Sequence, residues 1–415
     1  MLSDEVIEKV EERLVERIEN LNTYILKKIA RTIKEIGKLT PTQAHQLIQI
    51  LQYGGDYERI ITKIVEITNL NAKEIKKIFN DIAKEDYKFT EQFYKYRNKR
   101  YIKWEDNEIL RNQVNAIAYQ TIEDYMNISN TRGIGFTITD DKGNIIFKEI
   151  SKAYQDTVDE AILSVSQGKT TFEEEMARAM QKLGSSGLKY VDYSTGRTRR
   201  LDSALRMNIS DGLRQLHMQN QQLFAQQFDS DGVEITVVNN PAPDHAEVQG
   251  RVFRNSEFAK FQNDEESKDI NGKVFAPEHD GRDRRSIGEY NCRHRIFPIV
   301  VGVNKPRYTE EELQKIIDRS NEEFEFEGKK YNRYEGEQLQ RKIETSIRKW
   351  KDIQIMGKES GNEKLTQKAQ KKINQLTSKY YELSKVSGLP TKLERLQVDG
   401  YRQIKLTDNS PLKQK

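Results

Sequence analysis

Four side chains of the ligand class that tetrahedral zinc prefers, His245, His279, Cys292 and His294, fall in one stretch of this 415-residue chain. Between Pro241 and Pro306 lie three of the five histidines, the only cysteine and five of the eight prolines. The distinctive lines are Pro241-Ala-Pro-Asp-His-Ala-Glu-Val-Gln-Gly-Arg-Val-Phe253 and Glu289-Tyr-Asn-Cys-Arg-His-Arg-Ile-Phe-Pro298. Three imidazoles and a thiolate would close a structural zinc site. The Cys292-Arg293-His294 spacing is tighter than the usual zinc knuckle. The competing reading is that His245 and His294 hydrogen-bond buried loop backbone. If only three of the four converge, His279 is the expected outsider, because it sits in the charged loop Glu278-His279-Asp280-Gly281-Arg282.

Other chemistry is less well matched. A metal-dependent nuclease would use His279, Asn291 and His294, but the last two are too close for the strand-to-helix step of such sites. A thiol nucleophile at Cys292, paired with His245 or His279, has only Arg293 and Arg295 nearby to lower its pKa, and a buried, inert cysteine fits better. Arg282, Arg284, Arg285, Arg293 and Arg295 form a basic group that could face phosphates of double-stranded DNA. Asp280, Asp283 and Glu289 lie among them, so an internal salt-bridge lattice or a protein interface competes with DNA contact. Arg197, Arg199 and Arg200 make a smaller patch. No Walker or dinucleotide fingerprint is present. His45 and His217 sit in helical patterns and read as structural.

The composition bounds the rest. A formal charge of +4 from 69 basic and 65 acidic residues does not mark a nucleic-acid binder globally. Charged residues make up 32% of the chain and mean hydropathy is −0.84, which favours extended helical arms over one large core. No run suits a membrane span, and the N-terminus lacks the basic and apolar regions of a secretory signal. A single cysteine suits assembly in a reducing compartment.

The elements that must position these residues follow from periodicity. Val6, Val10, Leu14, Ile18, Leu21, Ile25, Ile29, Ile33 and Ile36 form one stripe on a helix from Ser3 to about Lys38, to be covered by this chain or by a second subunit. Thr40-Pro41-Thr42-Gln43 restarts a helix. Further helices are expected over 72–84 and 106–127. Alternating segments around Asp140-Asp141-Lys142-Gly143 predict a β-hairpin, and 188–200 a second hairpin or extended loop. Helices are expected from about 153, from a Thr171/Glu174 capping box to 183, and over 202–228, followed by a strand at 233–238. Thr309 with Glu312 caps a helix to Ser320, an alternating segment covers 324–331, and two charged helices span 336–355 and 362–386 with Gly388-Leu389-Pro390 as the stop. The tail from Asn409 shows no burial pattern. The expected fold is α+β and mainly helical, with a helical region 1–130, a central region 131–306 carrying short hairpins and the proline-rich window, and a helical region 307–415.

Ordered landmarks resemble a known family. They are Asp192-Tyr193-Ser194-Thr195-Gly196-Arg197 before Ala204-Leu205-Arg206; the His245 line ending Gln249-Gly250-Arg251-Val252-Phe253; Asn291-Cys292-Arg293-His294 before Phe297-Pro298; and Tyr331-Asn332-Arg333-Tyr334-Glu335 leading to Arg341, Glu344, Ile347 and Arg348. Together, over about 192–395, they resemble the minor capsid protein 2 family of tailed bacteriophages. The resemblance implies a virion structural protein, broadly related to head morphogenesis proteins, with no established catalytic residue. It also implies portal and capsid proteins as partners, contact with genomic double-stranded DNA, and assembly in the host cytoplasm. Some relatives carry Cys-Arg-Cys where this chain has Cys292-Arg293-His294, so a ligand-type atom is kept. Self-association through the N-terminal helix is a further expectation from its stripe. The alternative function is a metal-dependent hydrolase, nuclease or peptidase, using the His245–His294 window.

Overall fold

The computed structural model describes residues 4–38, 54–96, 99–128, 134–139, 143–166, 172–191, 198–227, 229–277, 285–289 and 292–406. The chain is 66% helical with several short antiparallel strand pairs, the mainly helical α+β class expected. The helices are α1 (Asp4–Ile36), α2 (Gly54–Tyr96), α3 (Glu108–Ile128), α4 (Ile150–Ser166), α5 (Phe172–Ser186), α6 (Leu201–Gln227), α7 (Pro243–Ala246), α8 (Asn255–Gln262), α9 (Glu310–Asn321), α10 (Arg333–Ser360) and α11 (Glu363–Ser387). No helix among the described residues is long and apolar enough to cross a membrane. The Thr40-Pro41 restart, Thr171 and the tail from Asn409 lie outside the described residues.

The chain forms two compact units. The first comprises Met1–Glu11, Glu74–Ile122 and Met207–Gln338, the second Glu12–Lys73, Glu123–Arg206 and Leu339–Lys415.

In the second unit the α1 stripe is buried: Leu14, Ile18, Leu21, Ile25, Ile29 and Ile33 are all 2% exposed or less. Its cover comes from this chain. Thr32 lies 3.3 Å, hydroxyl to hydroxyl, from Tyr154 of α4, and Asn22 donates to Asp352 of α10 at 3.1 Å while accepting from the Leu188 amide at 2.8 Å. The stripe from Leu14 to Ile33 is therefore covered within this chain. The helix expected over 72–84 is part of a longer one, since α2 runs from Gly54 straight through Asn71. The Asn71 side chain does not cap; it donates to the Leu14 carbonyl at 3.2 Å and accepts from Arg17 at 2.9 Å, so tertiary partners outcompete the local turn.

Both hairpins form in this unit, β1 (Ile134–Thr139) with β2 (Ile145–Glu149) and β3 (Lys189–Val191) with β4 (Thr198–Arg200), in one sheet ordered β2-β1-β3-β4. Gly184 on α5 lets Ile353 of α10 approach, since an added Cβ would lie 2.7 Å from its side chain. Asn362 caps α11 by accepting from the Leu365 amide, and Gly388 ends it in the left-handed conformation at φ 64°.

In the first unit a three-stranded antiparallel sheet is ordered β6 (Val252–Arg254), β5 (Gly232–Ile235), β9 (Ile296–Ile299). Val233 faces Phe253 on one side and Pro298 on the other, and Pro298 is tolerated because β9 is an edge strand. The expected strand at 233–238 is shorter than its β-branched run. Beyond Ile235 one backbone bond remains, from the Thr236 amide to the Arg295 carbonyl at 2.9 Å, and the Val238 amide then donates to Gln249 Oε1 at 3.1 Å. The core holds Val233, Ile235, Val248, Phe253, Phe261, Phe275, Ile287, Cys292 and Ile296. The small pairs β7 (Ser267–Lys268) with β8 (Val274–Phe275) and β10 (Glu323–Phe326) with β11 (Lys329–Asn332) complete it. Helix α9 begins with the expected capping box of Thr309 and Glu312.

Candidate functional site

The proline-rich window folds so that three of its ligand-class side chains meet. Pro243 opens α7 as an early helical residue whose missing N–H costs nothing there, and His245 follows in the same short turn. Cys292 and His294 lie on the approach to β9. Burial alternates from Cys292 to Ile296, inward at 292, 294 and 296. That alternation is why a one-residue spacing, wrong for a knuckle, still presents both ligand atoms to one side.

Cys292 Sγ lies 3.5 Å from His245 Nδ1 and 3.6 Å from His294 Nδ1, and the imidazoles meet edge to face with centroids 5.3 Å apart. The three side chains belong to residues only 1%, 3% and 2% exposed. On the far side of His245, Nε2 donates to the Arg285 carbonyl at 2.7 Å. A carbonyl can only accept, so Nε2 carries the proton and Nδ1 faces the sulfur. His279 and Asn291 lie outside the described residues.

Burial alone would push the Cys292 thiol up, but its contacts with the two imidazoles overcome that and bring it down to about 5. Burial would likewise depress His245; the sulfur, the Arg285 carbonyl and Asp244 reverse this and hold it above the ordinary imidazole value. The sulfur is thus thiolate-like at neutral pH, which suits metal ligation or nucleophilic attack equally. Access separates them. The sulfur belongs to the apolar core, and a cleft in the same unit, lined by Pro241, Pro243, Glu247, Ile317 and Tyr334 among others, includes none of the three ligand residues.

Two arginines of the window are engaged through their guanidinium groups. Arg285 grips Asp244 with two bonds of 2.8 Å, and Arg293 pairs with Glu337 at 3.1 Å and donates to the Asn240 carbonyl at 3.0 Å. The backbone amide of Arg295 donates to Thr236 Oγ1 at 2.9 Å, and Arg282 and Arg284 lie outside the described residues. His217, read as structural, is buried 3.4 Å from Asp86 and packs edge to face on Phe297. Arg251 entered the sequence reading only as part of the Gln249–Phe253 landmark, with no role of its own. It is 3% exposed and joins Asp269 at 2.7 Å, Glu310 at 3.0 Å and the Glu247 carbonyl at 2.8 Å, fastening the Gln249-Gly250-Arg251 line to α9.

A second charged cluster, in the other unit, also escaped the sequence reading. Arg348 Nη1 donates to Asp202 at 2.7 Å and to Glu19 at 3.1 Å, and Arg200 reaches Asp202 at 3.3 Å and Asp352 at 3.5 Å. Burial, then the Asp202 charge, raises Glu19 to about 7, and burial raises Asp352 to about 6. Burial works against Asp202 too, but Arg200 and Arg348 hold it well below the usual carboxylate range. The signal available was Arg348 and Asp352 four residues apart among Ile347, Ile353, Ile355 and Met356, charges on an apolar face rather than opposite it.

A family model described as phage minor capsid protein 2 matches residues 2–383. No curated protein and no solved structure matches the chain significantly.

Proposed function

The chain belongs to the phage minor capsid protein 2 family, and from that premise we propose that it acts as a low-copy structural component bound at or near the portal or inner face of the head. There it contributes to head assembly and to DNA packaging or ejection, meeting portal and capsid proteins after assembly in the host cytoplasm. The observation that carries this reading is the extent of the family match, which takes in nearly every element. The chemistry in hand agrees. The reactive cluster is enclosed, and Arg285 and Arg293 are turned on carboxylates of their own unit, as in a part built to hold shape. A metal-dependent nuclease or peptidase using His245–His294 would need a route for substrate to the sulfur or its ion, and side chains 1–3% exposed offer poor access.

Quantitative mass spectrometry of purified particles tests the reading. The chain is expected at a fixed low number per portal ring, and a null mutant is expected to yield heads defective in DNA filling or release. Particles lacking the polypeptide, or normal infectious heads from the null mutant, would overturn it.

A further inference from the structure

We propose that His245, Cys292 and His294 hold one zinc-class divalent cation, which ties α7 to the approach of β9 in the first unit.

Geometry carries the case. Zinc–sulfur and zinc–nitrogen bonds of about 2.3 and 2.0–2.1 Å, opened to a tetrahedral angle, separate sulfur from nitrogen by about 3.5–3.6 Å. The two sulfur-to-Nδ1 distances are 3.5 and 3.6 Å. The ligand atoms of the three residues all lie within 4.8 Å of one another. They come from positions 47 residues apart and two residues apart, so local chain geometry alone does not account for their meeting.

The surroundings are those of a prepared ligand set. A metal-bound histidine usually gives its second N–H to a carbonyl or carboxylate, which fixes the tautomer and aims the ring. His245 does this at the Arg285 carbonyl, and Asp244, pinned by Arg285, stands 3.8 Å from the same nitrogen. Arg293 is drawn the other way by Glu337 and the Asn240 carbonyl, which keeps Cys292 and His294 facing inward. His294 adds an independent observation. The residue is 2% exposed, and among the described residues its Nε2 has no hydrogen-bond partner while its Nδ1 meets only the sulfur. A cation on Nδ1 would give this buried ring a strong partner where the described protein atoms supply only a weak sulfur contact.

Hydrogen bonds alone serve this cluster poorly. The His245 Nε2 proton is committed to the Arg285 carbonyl, so the neutral ring turns a bare Nδ1 lone pair toward a weakly bonding sulfur, the form in which an imidazole ligates a metal. A cation takes the place of the protons shared between sulfur and rings, releases them to solvent, and bonds all three atoms at once. Thiolate with imidazole selects zinc over calcium or magnesium, which prefer oxygen. Among the described residues no fourth ligand joins these three. Full burial argues that the ion is structural, a cross-link in a core of few strands.

The test uses the full-length chain. Elemental analysis after purification without a metal-binding tag is expected to return about one zinc per chain. After stripping by a strong chelator, cobalt(II) alone is titrated back. Visible bands of tetrahedral cobalt and a near-ultraviolet thiolate-to-cobalt absorption are expected to saturate at one equivalent. Cys292→Ser should abolish the near-ultraviolet band, His245→Ala and His294→Ala should each remove stoichiometric metal, and His279→Ala should retain it. A wild-type chain that is folded by circular dichroism yet shows neither zinc nor the cobalt bands would overturn the proposal whatever the variants do. Metal that persists in a Cys292→Ser/His294→Ala chain, or is lost on changing His279, would overturn the three-residue assignment.

Discussion

Glu19 is held by Arg348 and still keeps its proton to about 7, because burial and the neighbouring Asp202 charge outweigh the arginine. Its unfolded value is near 4.5, so between those two values the folded chain binds more protons than the unfolded one, and stability falls as pH rises. Replacing Glu19 by Gln removes this term. Urea midpoints measured from pH 5 to 8 are expected to show Glu19→Gln gaining on the wild type as pH rises, by at most about 3 kcal/mol; parallel curves would refute the assignment. Arg348→Met should be costly at neutral pH, on the order of 3–5 kcal/mol, since it leaves Asp202 and Glu19 without their shared partner. Only part of this cluster was legible in the sequence: Arg348 and Asp352 stand out on an apolar helix face, but nothing in the chain order names Glu19, Arg200 and Asp202 as their partners. The ligand trio was legible by type, because few side chains bind soft metals. What chain order does not supply is the meeting of His245 with Cys292 across 47 residues, which the fold brings about.

At the level of elements, what was legible was what short-range physics decides. The capping box at Thr309, the glycine stop at Gly388 and the two hairpins arise from contacts within a few residues, and each stands where periodicity and turn chemistry put it. The ends of α2 were not legible, because Asn71 has the same side chain whether it caps a helix or bonds Leu14 and Arg17. Close approach of helices was equally hidden. At Gly184 an added methyl meets the backbone of Ile353 as well as its side chain. Gly184→Ala is therefore expected to destabilise the chain by about 1–3 kcal/mol despite alanine's better helix propensity. A thermal midpoint equal to or above that of the wild type would show that α10 yields at no cost.

For the whole molecule, 69 basic against 65 acidic residues leave little net field, and a set of these charges is spent inside the fold. Arg251 and Arg293 are buried or half-buried against carboxylates, and the buried trio of Arg200, Arg348 and Asp202 behaves likewise. Any affinity for duplex DNA should then depend weakly on Arg293. Arg293→Ala is expected to lower the thermal midpoint while leaving the slope of log affinity against log salt unchanged. A slope flattened by about one unit would mean that this guanidinium leaves Glu337 for a phosphate. The balance also accounts for why composition said little about activity: charges paired within the fold are counted in a sequence exactly as free ones are, though they have no reach beyond it.

The single sulfhydryl, shielded among Phe253, Ile287 and Ile296, has a practical use. With no other thiol in 415 residues, an alkylating reagent can modify the native chain only when this one core opens, so its labelling rate clocks that opening without any introduced probe. The same clock can be read on free protein and on intact heads, and the ratio of the two rates reports how far incorporation into the particle quiets this part of the chain.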